Sequence, residues 1–112
     1  MRKVEKPWGF ENIWAENKKY VGKFMYIKPN HRMSLQYHNV KEETIYVQSG
    51  TLRIWNSELE FDYTDLEPGS VYHVEPKKVH RFGASGSDPV HLIEISTPEI
   101  EDVVRRADDY NR

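Results

Sequence analysis

Cysteine is absent from the sequence, which excludes disulfide bridges, thiolate zinc sites and cysteine nucleophiles. An excess of positive charge is also lacking, because 16 basic and 18 acidic residues give a formal net charge of -2. A nearly neutral chain does not have the electrostatic character of a general nucleic-acid binder. Long hydrophobic runs are missing as well, the longest after the N-terminus covering about residues 24–27. We therefore predict neither a signal peptide nor a membrane span, and we expect a cytoplasmic protein with no nucleic-acid or membrane partner.

The composition predicts a single small β-rich domain over residues 1–112. Only 38% of the residues are hydrophobic and 30% are charged, but 12% are aromatic, and large rings let a small core bury much area per residue. Short runs rich in Val, Ile, Tyr, Phe and Thr alternate with turn residues, which is typical of a β-sandwich or a small barrel. We predict strands at 22–28, 32–38, 43–48, 51–55, 58–63, 70–75, 79–83 and 90–96.

Two local patterns add detail to this prediction. Asn56 and Ser57 separate two strand-like runs and predict a tight two-residue hairpin turn. After residue 96 the pattern changes, because Thr97 can cap a helix whose first position is Pro98. An apolar stripe at helical spacing follows, formed by Ile100, Val103, Val104 and Ala107. The sequence therefore predicts one short C-terminal helix of about three turns, packed on the β fold.

Four candidate metal ligands lie on the predicted strands. Gln36 and His38 share one face of their strand, because side chains alternate between the two faces. Glu43 opens the next strand, and His80 shares a face with Phe82 much later in the chain. Two imidazoles, a carboxylate and an amide oxygen suit Zn²⁺, Mn²⁺, Fe²⁺, Co²⁺ or Ni²⁺. The alternative interpretation of the same residues is a hydrogen-bonded polar cluster in the core.

The spacing of these residues resembles the two motifs of the cupin family. The matching patterns are Gln36-x-His38-x4-Glu43-x6-Gly50, with Gln at the position of the first His, and Gly69-x5-Glu75-x-Lys77-x2-His80. Residues 6–9, 32–38 and 102–112, together with Lys23 and Glu94, further resemble the type II mannose-6-phosphate isomerase cupin. In larger proteins that domain is often fused behind a mannose-1-phosphate guanylyltransferase. The resemblance covers about residues 4–112.

This resemblance implies a double-stranded β-helix, or jelly-roll barrel, that holds one divalent metal ion, with zinc as the first choice. The implied ligands are Gln36, His38, Glu43 and His80. Cupins of this size commonly form dimers, so we expect a homodimer in which residues 6–9 give an edge strand to the partner. The substrate is left open by departures from the family pattern at Asn30, Lys41, Thr44, Ile45, Glu75, Lys77 and Ala84.

The leading functional hypothesis is an aldose–ketose isomerase that converts mannose 6-phosphate to fructose 6-phosphate. In such chemistry a metal polarises the carbonyl group, and a base moves a proton between C2 and C1. Glu94 is the candidate base, and Lys23 is its electrostatic partner or a phosphate anchor. The candidate substrate-binding residues are Arg32, Lys41 and Arg105, and Arg112 is a further candidate for the phosphate.

Two other functions stay open at this point. A cupin with altered residues around its metal site could bind a sugar or a nucleotide sugar without catalysis. Two histidines and one carboxylate also resemble the facial triad of an Fe(II)-dependent oxygenase. The remaining histidines, His31, His73 and His91, are expected to be structural, and the tryptophans at 8, 14 and 55 are expected in the core or at an interface.

Overall fold

The computed structural model describes residues 1–111, which form β-strands, turns and loops. The strands are β1 (Arg2–Lys6), β2 (Gly9–Glu16), β3 (Val21–Ile27), β4 (Leu35–Tyr37), β5 (Glu43–Ser49), β6 (Leu52–Trp55), β7 (Tyr63–Leu66), β8 (Val71–Val74), β9 (Arg81–Ala84), β10 (Val90–Ser96) and β11 (Val104–Ala107). The all-β class predicted from the sequence is confirmed. None of the described residues forms a helix, so none of them belongs to a helix that could cross a membrane.

The strands form one large sheet and two smaller ladders. The large sheet has six antiparallel strands in the order β1-β2-β3-β10-β5-β8. The smaller ladders have the orders β7-β6-β9 and β11-β4. Two isolated bridges join these ladders into a second layer, one between Arg32 and Gly83 and one between Gln36 and His80.

The hydrophobic core combines side chains of both layers, because alternate residues of each strand turn to the same side. Strand β5 contributes Ile45 and Val47, β10 contributes Leu92, and the second layer contributes Ile54 and Phe82. Each of these side chains is at most 1% exposed. Burial of one such side chain stabilises a fold by about 1.5–3 kcal/mol, so this cluster holds the two layers together.

The prediction of a C-terminal helix is wrong. Residues 97–103 form bends, turns and loop, and β11 pairs with β4, with Arg105 opposite Gln36. The Thr97 hydroxyl does not cap a helix but accepts a hydrogen bond from the Glu42 amide. Strand β4 supplies backbone partners from a distant part of the chain, and the β-branched Val104 fits a strand well. Tertiary pairing thus overrides the local helical spacing of the apolar residues.

The prediction of a tight turn at residues 56 and 57 is also wrong. Strand β7 begins at Tyr63 and not at residue 58, and residues 56–62 form a loop closed by the pairing of Trp55 with Tyr63. Within this loop the Ser57 hydroxyl donates a hydrogen bond to the Asp62 carboxylate (2.7 Å). The alternation of charged and apolar residues at 58–62 is typical of a strand. Phe61 points into solvent, however, so these residues have no apolar face that packs on the core and holds them in a sheet.

An N-terminal hairpin over residues 2–16 is an addition to the predicted strands. Strand β1 pairs with β2 of the same chain, with Lys6 opposite Gly9, so residues 6–9 form the turn of this hairpin. The edge strand that these residues are expected to give to a partner stays a prediction. The backbone at Gly9 has φ +156°, and a Cβ there would lie 1.8 Å from the Tyr26 carbonyl oxygen. The turn therefore requires glycine. The adjacent Trp8 is buried in the core, as predicted.

Candidate metal centre

His38, Glu43 and His80 are buried and converge at one point between the layers. His38 follows β4 directly, Glu43 opens β5, and His80 precedes β9. The backbones of Gln36 and His80 exchange two hydrogen bonds of 2.9 Å, which brings His80 beside the end of β4. One potential ligand atom from each residue lies within 4.8 Å of the other two. The convergence predicted from strand alternation is therefore found for these three residues.

Both imidazole rings are oriented by backbone carbonyl groups. The Nδ1 atom of His38 lies 2.6 Å from the Asp102 carbonyl oxygen, and that of His80 lies 3.0 Å from the Lys78 carbonyl oxygen. A carbonyl oxygen only accepts, so Nδ1 carries the proton and donates it. The Nε2 lone pairs then face Glu43 Oε1 at 3.8 Å and 3.4 Å. Carbonyl groups orient metal-binding histidines in the same way.

The two Nε2 atoms are buried and have no hydrogen-bond partner among residues 1–111. Unpaired buried polar atoms are costly, so such atoms in a folded protein call for an explanation. Two lone pairs and a carboxylate oxygen with no proton between them are the donor set of a divalent cation. The residues present therefore fit a metal ion.

Gln36 lies next to this cluster but is held differently. It lines the same cavity and is half-buried. Its Oε1 atom accepts a hydrogen bond of 2.9 Å from the Ser34 hydroxyl, and its Nε2 atom approaches the Met33 sulfur at 3.7 Å. The amide oxygen keeps a second lone pair, so the fourth-ligand role predicted for Gln36 stays a prediction.

A chain of buried ionisable side chains extends from the metal cluster across the large sheet. Lys41 Nζ lies 3.0 Å from Glu43 Oε2 and 3.4 Å from Glu94 Oε2. Lys23 Nζ lies 3.9 Å from the same Glu94 oxygen and 3.3 Å from Glu11 Oε1. We call these five residues the buried charge row. Its predicted members Glu94 and Lys23 are directly opposite each other on β10 and β3.

Glu94 and Glu43 of the charge row have opposite pKa shifts. Burial and the negative charge of Glu43 raise the pKa of Glu94 from 4.5 to about 8. Burial opposes ionisation of Glu43 too, but the neighbouring imidazoles of His38 and His80 and the charge of Lys41 hold its pKa well below the usual value. At neutral pH, Glu43 is thus ionised while Glu94 mostly keeps its proton. Burial works against the charge of Lys41, but its neighbours Glu94 and Glu43 raise its pKa.

His38 of the metal cluster and the whole charge row, which includes Glu43, line a cavity of about 230 Å³. The N-terminal hairpin, the segment before β11 and β11 itself also line the cavity, through Arg2, Val4, Lys6, Glu11, Glu101, Val103 and Arg105. Lys41 and Arg105, both predicted to bind substrate, are therefore brought together with the predicted base and metal ligands. Arg2, Lys6 and Arg105 add positive charge to these walls.

Arg32 is not among the residues that line this cavity. Its guanidinium group donates to Glu60 (2.8 Å) and Asp109 (2.7 Å) and lies 5.1 Å from the Trp55 ring. The hydrogen bonds to Asp109 and Glu60 raise the pKa of Arg32. Both edges of the guanidinium are occupied, so the structure does not bring Arg32 together with the other predicted residues. Arg112, the further phosphate candidate, lies outside the described residues.

Two residues of the site were missed in the sequence. Glu11 belongs to the charge row, but it lies in the N-terminal hairpin, where no strand is predicted. Asp102 accepts hydrogen bonds from the amides of Asn39, Val40 and Lys41, which hold its pKa at about 2. Its backbone carbonyl also orients His38. The sequence signal for Glu11 is its place in an alternating run with Ile13, on the face that turns inward.

The histidines expected to be structural lie outside the metal cluster. His31 Nδ1 contacts the Pro29 carbonyl oxygen. His73 pairs with Glu42, and His91 with Ser49. Each contact occupies one ring nitrogen with a local partner, in agreement with a structural role.

Comparison with solved structures identifies the fold. A double-stranded β-helix protein from Klebsiella pneumoniae is 18% identical over 91% of this chain and 82% of its own, with a TM-score of 0.78. KdgF from Halomonas sp. is 18% identical over 90% of this chain and 91% of its own, with a TM-score of 0.74. Oxalate decarboxylase OxdC from Bacillus subtilis is 20% identical over 95% of this chain and 30% of its own, with a TM-score of 0.76. The fold and the buried His/Glu/His cluster together define a cupin.

Sequence comparison narrows this class to one family. Residues 1–109 match the family described as mannose-6-phosphate isomerase C-terminal, and the chain belongs to it. Mannose-1-phosphate guanylyltransferase RfbM from Salmonella typhimurium is 29% identical over 86% of this chain. Alginate biosynthesis protein AlgA from Pseudomonas aeruginosa is 30% identical over 97% of this chain. The chain spans only 19% and 23% of the lengths of these two relatives.

Proposed function

We propose that this chain is a metal-dependent isomerase of a phosphorylated aldose, with mannose 6-phosphate as substrate and fructose 6-phosphate as product. The observation that carries the proposal is the position of Glu94 one salt bridge away from the His38, Glu43 and His80 cluster. Lys41 makes that connection, since its ammonium group contacts both Glu43 and Glu94. Family membership supports the choice of a mannose phosphate.

The metal would be held by His38, Glu43 and His80, with Gln36 as the fourth protein ligand. Zinc is the first choice for two imidazoles and a carboxylate, and Mn²⁺, Co²⁺, Fe²⁺ and Ni²⁺ suit the same donors. The B. subtilis oxalate decarboxylase, which shares the fold, has Mn(II) centres. A bound ion would supply Lewis acidity toward the sugar carbonyl and its developing oxyanion.

The protein's own side chains would move the proton. Glu94, as the carboxylate, removes the proton from C2 and returns it to C1, while the hydroxyl proton passes from O2 to O1. The C2–H bond breaks and a C1–H bond forms, so no external oxidant or reductant is needed. Lys23 and Lys41 contact Glu94 and favour its ionised form. Because Lys23 is held between Glu11 and Glu94, it is the electrostatic partner of the base, and Arg105 is the candidate for the phosphate.

The size of the cavity favours a monosaccharide phosphate over a nucleotide sugar. The volume is about 230 Å³, whereas sites for drug-sized ligands usually measure about 300–1,000 Å³. A nucleotide sugar adds a base, a ribose and a second phosphate to the sugar phosphate. The smaller ligand is therefore the better match to the volume of the cavity.

Turnover of mannose 6-phosphate, followed by NMR, tests the proposal. Metal-stripped protein is assayed with Zn²⁺, Mn²⁺, Co²⁺, Fe²⁺ and Ni²⁺ restored one at a time. We expect fructose 6-phosphate with at least one metal, loss of turnover in His80→Ala, and full turnover in the matched control His91→Ala. Failure with every metal would refute the isomerase. Binding of the sugar without turnover would then indicate a sugar-binding cupin, and oxygen consumption with Fe²⁺ an oxygenase.

A further inference from the structure

The segment before β11 runs beside residues 38–43, which carry two of the three buried metal-ligand candidates. At one end of this contact, the Thr97 amide donates a hydrogen bond to the Glu42 carbonyl oxygen (3.0 Å). The Glu42 amide donates in return to the Thr97 hydroxyl (3.0 Å). At the other end, β11 pairs with β4, which leads directly into residue 38. The segment is therefore attached to both sides of the 38–43 loop.

Asp102 lies between these two attachment points and contacts the loop through its carboxylate. Oδ2 accepts hydrogen bonds from the amides of Val40 (2.7 Å) and Lys41 (2.9 Å). Oδ1 accepts a hydrogen bond from the Asn39 amide (3.1 Å). Successive backbone N–H groups can form a concave site for an anion, and hydrogen bonds to an ionised acceptor are stronger than neutral ones. The carboxylate therefore holds the backbone of residues 39–41 in one conformation.

The backbone of Asp102 contacts the metal-ligand candidate at the start of the loop. Its carbonyl oxygen accepts a hydrogen bond of 2.6 Å from His38 Nδ1. The His38 side chain is 1% exposed, so water does not replace this bond. The bond keeps the proton on Nδ1 and leaves the buried Nε2 atom free to bind a metal, on the side of Glu43.

The far end of the loop carries the link to the predicted base. Lys41, whose amide donates to the Asp102 carboxylate, places its ammonium group 3.0 Å from Glu43 and 3.4 Å from Glu94. The carbonyl and the carboxylate of Asp102 thus act on the two ends of one short loop. Asp102 itself is not among the residues that line the cavity, so it can influence the site only through these neighbours.

We propose that Asp102 is a positioning residue of the metal centre, which fixes His38 and Lys41 relative to each other. Hydrogen-bond partners behind metal ligands tune the affinity for the metal, and their removal typically weakens binding by about 10- to 100-fold. The proposed reaction gives Asp102 no other role. The inference rests on the metal site of the proposed function, but it does not require the isomerase reaction.

Isothermal titration of the metal-stripped full chain with Zn²⁺ tests this role. Asp102→Ala removes the acceptor of three amide hydrogen bonds and should raise the zinc dissociation constant by about 10- to 100-fold. Asp102→Asn keeps one oxygen acceptor in a similar volume and should give a smaller increase. The matched control is Glu99→Gln, which neutralises a nearby acid that does not line the cavity and should bind zinc as wild type does. Circular dichroism verifies that each variant is folded.

The ring tautomer of His38 in the metal-free protein separates positioning from a general loss of stability. Long-range ¹H–¹⁵N NMR spectra should show the proton on Nδ1 in wild type and in Glu99→Gln. In Asp102→Ala the signals should average between the Nδ1 and Nε2 tautomers, because the loop no longer holds the ring against the carbonyl group. A substitution that only lowers stability would leave the tautomer of the folded protein unchanged.

Two results would overturn the proposal for Asp102 alone. One is wild-type zinc affinity in folded Asp102→Ala, and the other is an unchanged Nδ1 tautomer of His38 in that variant. If Asp102→Ala does not fold, the same two measurements on Asp102→Asn test the proposal. No zinc binding by wild type would instead refute the metal site of the proposed function, and the role of Asp102 with it.

Discussion

In one part of the large sheet, the inner face carries charged side chains and the outer face carries apolar ones, which is the reverse of the usual arrangement. A sheet with one solvated face normally turns apolar residues inward and polar residues outward. Here β3 turns Lys23 to the cavity and Phe24 to the solvent, and β10 does the same with Glu94 and Ile95. Charges are costly to bury and apolar groups are costly to expose. The buried charges of the inner face therefore support the proposed metal and substrate site, because a function there would account for their burial.

The reversal is confined to part of each strand. Further along β3, Met25 and Ile27 enter the hydrophobic core, and on β10 the same holds for Leu92. The ordinary pattern thus stabilises the fold at one end of the strands, while the other end carries the charge row. Residues that stabilise the fold and residues of the proposed site therefore follow one another along the same strands. Single substitutions can test the two roles separately.

The largest expected effect is on catalysis, from Glu94→Gln on the inner face. Loss of the base should lower kcat by about 10²–10⁴, because the amide cannot accept the C2 proton, while the metal content stays unchanged. The NMR assay measures this loss. The control is its neighbour on the outer face, Ile95→Ala, which should keep kcat near the wild-type value. Wild-type turnover in Glu94→Gln would remove Glu94 from the mechanism.

The second effect is on stability, from Lys23→Ala. Removal of one partner of a buried ion pair leaves Glu11 unpaired and should cost about 3–5 kcal/mol. The next residue offers the outer-face control, since Phe24→Ala should cost less than about 1 kcal/mol. Urea unfolding of both variants at the same protein concentration measures the two costs. Equal costs at the two positions would contradict the difference between the faces.

The third effect is a pH dependence of the metal-free protein. The pKa of Glu94 is raised from 4.5 to about 8, so the folded state binds this proton more tightly than the unfolded state. The resulting stabilisation is fully present below pH 4.5 and is lost as the pH rises through about 8. Urea midpoints across this range should fall in wild type relative to Glu94→Gln. A constant difference between the two proteins would show that Glu94 ionises normally.

The smallest expected effect concerns the outer face. Thr44 lies opposite Ile95 on this face, and Thr44→Val exchanges its hydroxyl for a methyl group. Because Thr44 is exposed, this exchange should change the free energy of unfolding by at most about 0.5 kcal/mol. Urea unfolding measures the change. A cost above about 1 kcal/mol would place the Thr44 hydroxyl in a structural contact and contradict the difference between the faces.

Much of the candidate site follows from strand alternation and motif spacing. His38, Glu43 and His80 each lie at the end of a predicted strand, on a face shared with apolar neighbours, and the structure brings them together. Glu94 stands between two isoleucines, so its inward direction is also visible in the sequence. These predictions succeed because period-two alternation is a local property.

The wrong predictions concern residues whose structure depends on contacts with distant parts of the chain. Residues 100–107 satisfy a helical spacing, and nothing nearby in the sequence reveals that β4 will pair with them. Arg32 looks like a free cation until Glu60 and Asp109 are found beside it. Because β1 and β2 contain many charged residues, the sequence does not predict the hairpin, and Glu11 was missed. The homodimer and the cytoplasmic location stay predictions.

Metal binding by matched variants of two neighbouring glutamates tests the central claim most directly. Isothermal titration of metal-stripped protein with Zn²⁺ should give one ion per chain in wild type. Glu43→Gln removes a ligand and should abolish this binding, whereas Glu94→Gln should retain it, although both residues are buried in the same charge row. Binding of zinc to Glu43→Gln with wild-type affinity, or no binding by wild type, would contradict the account.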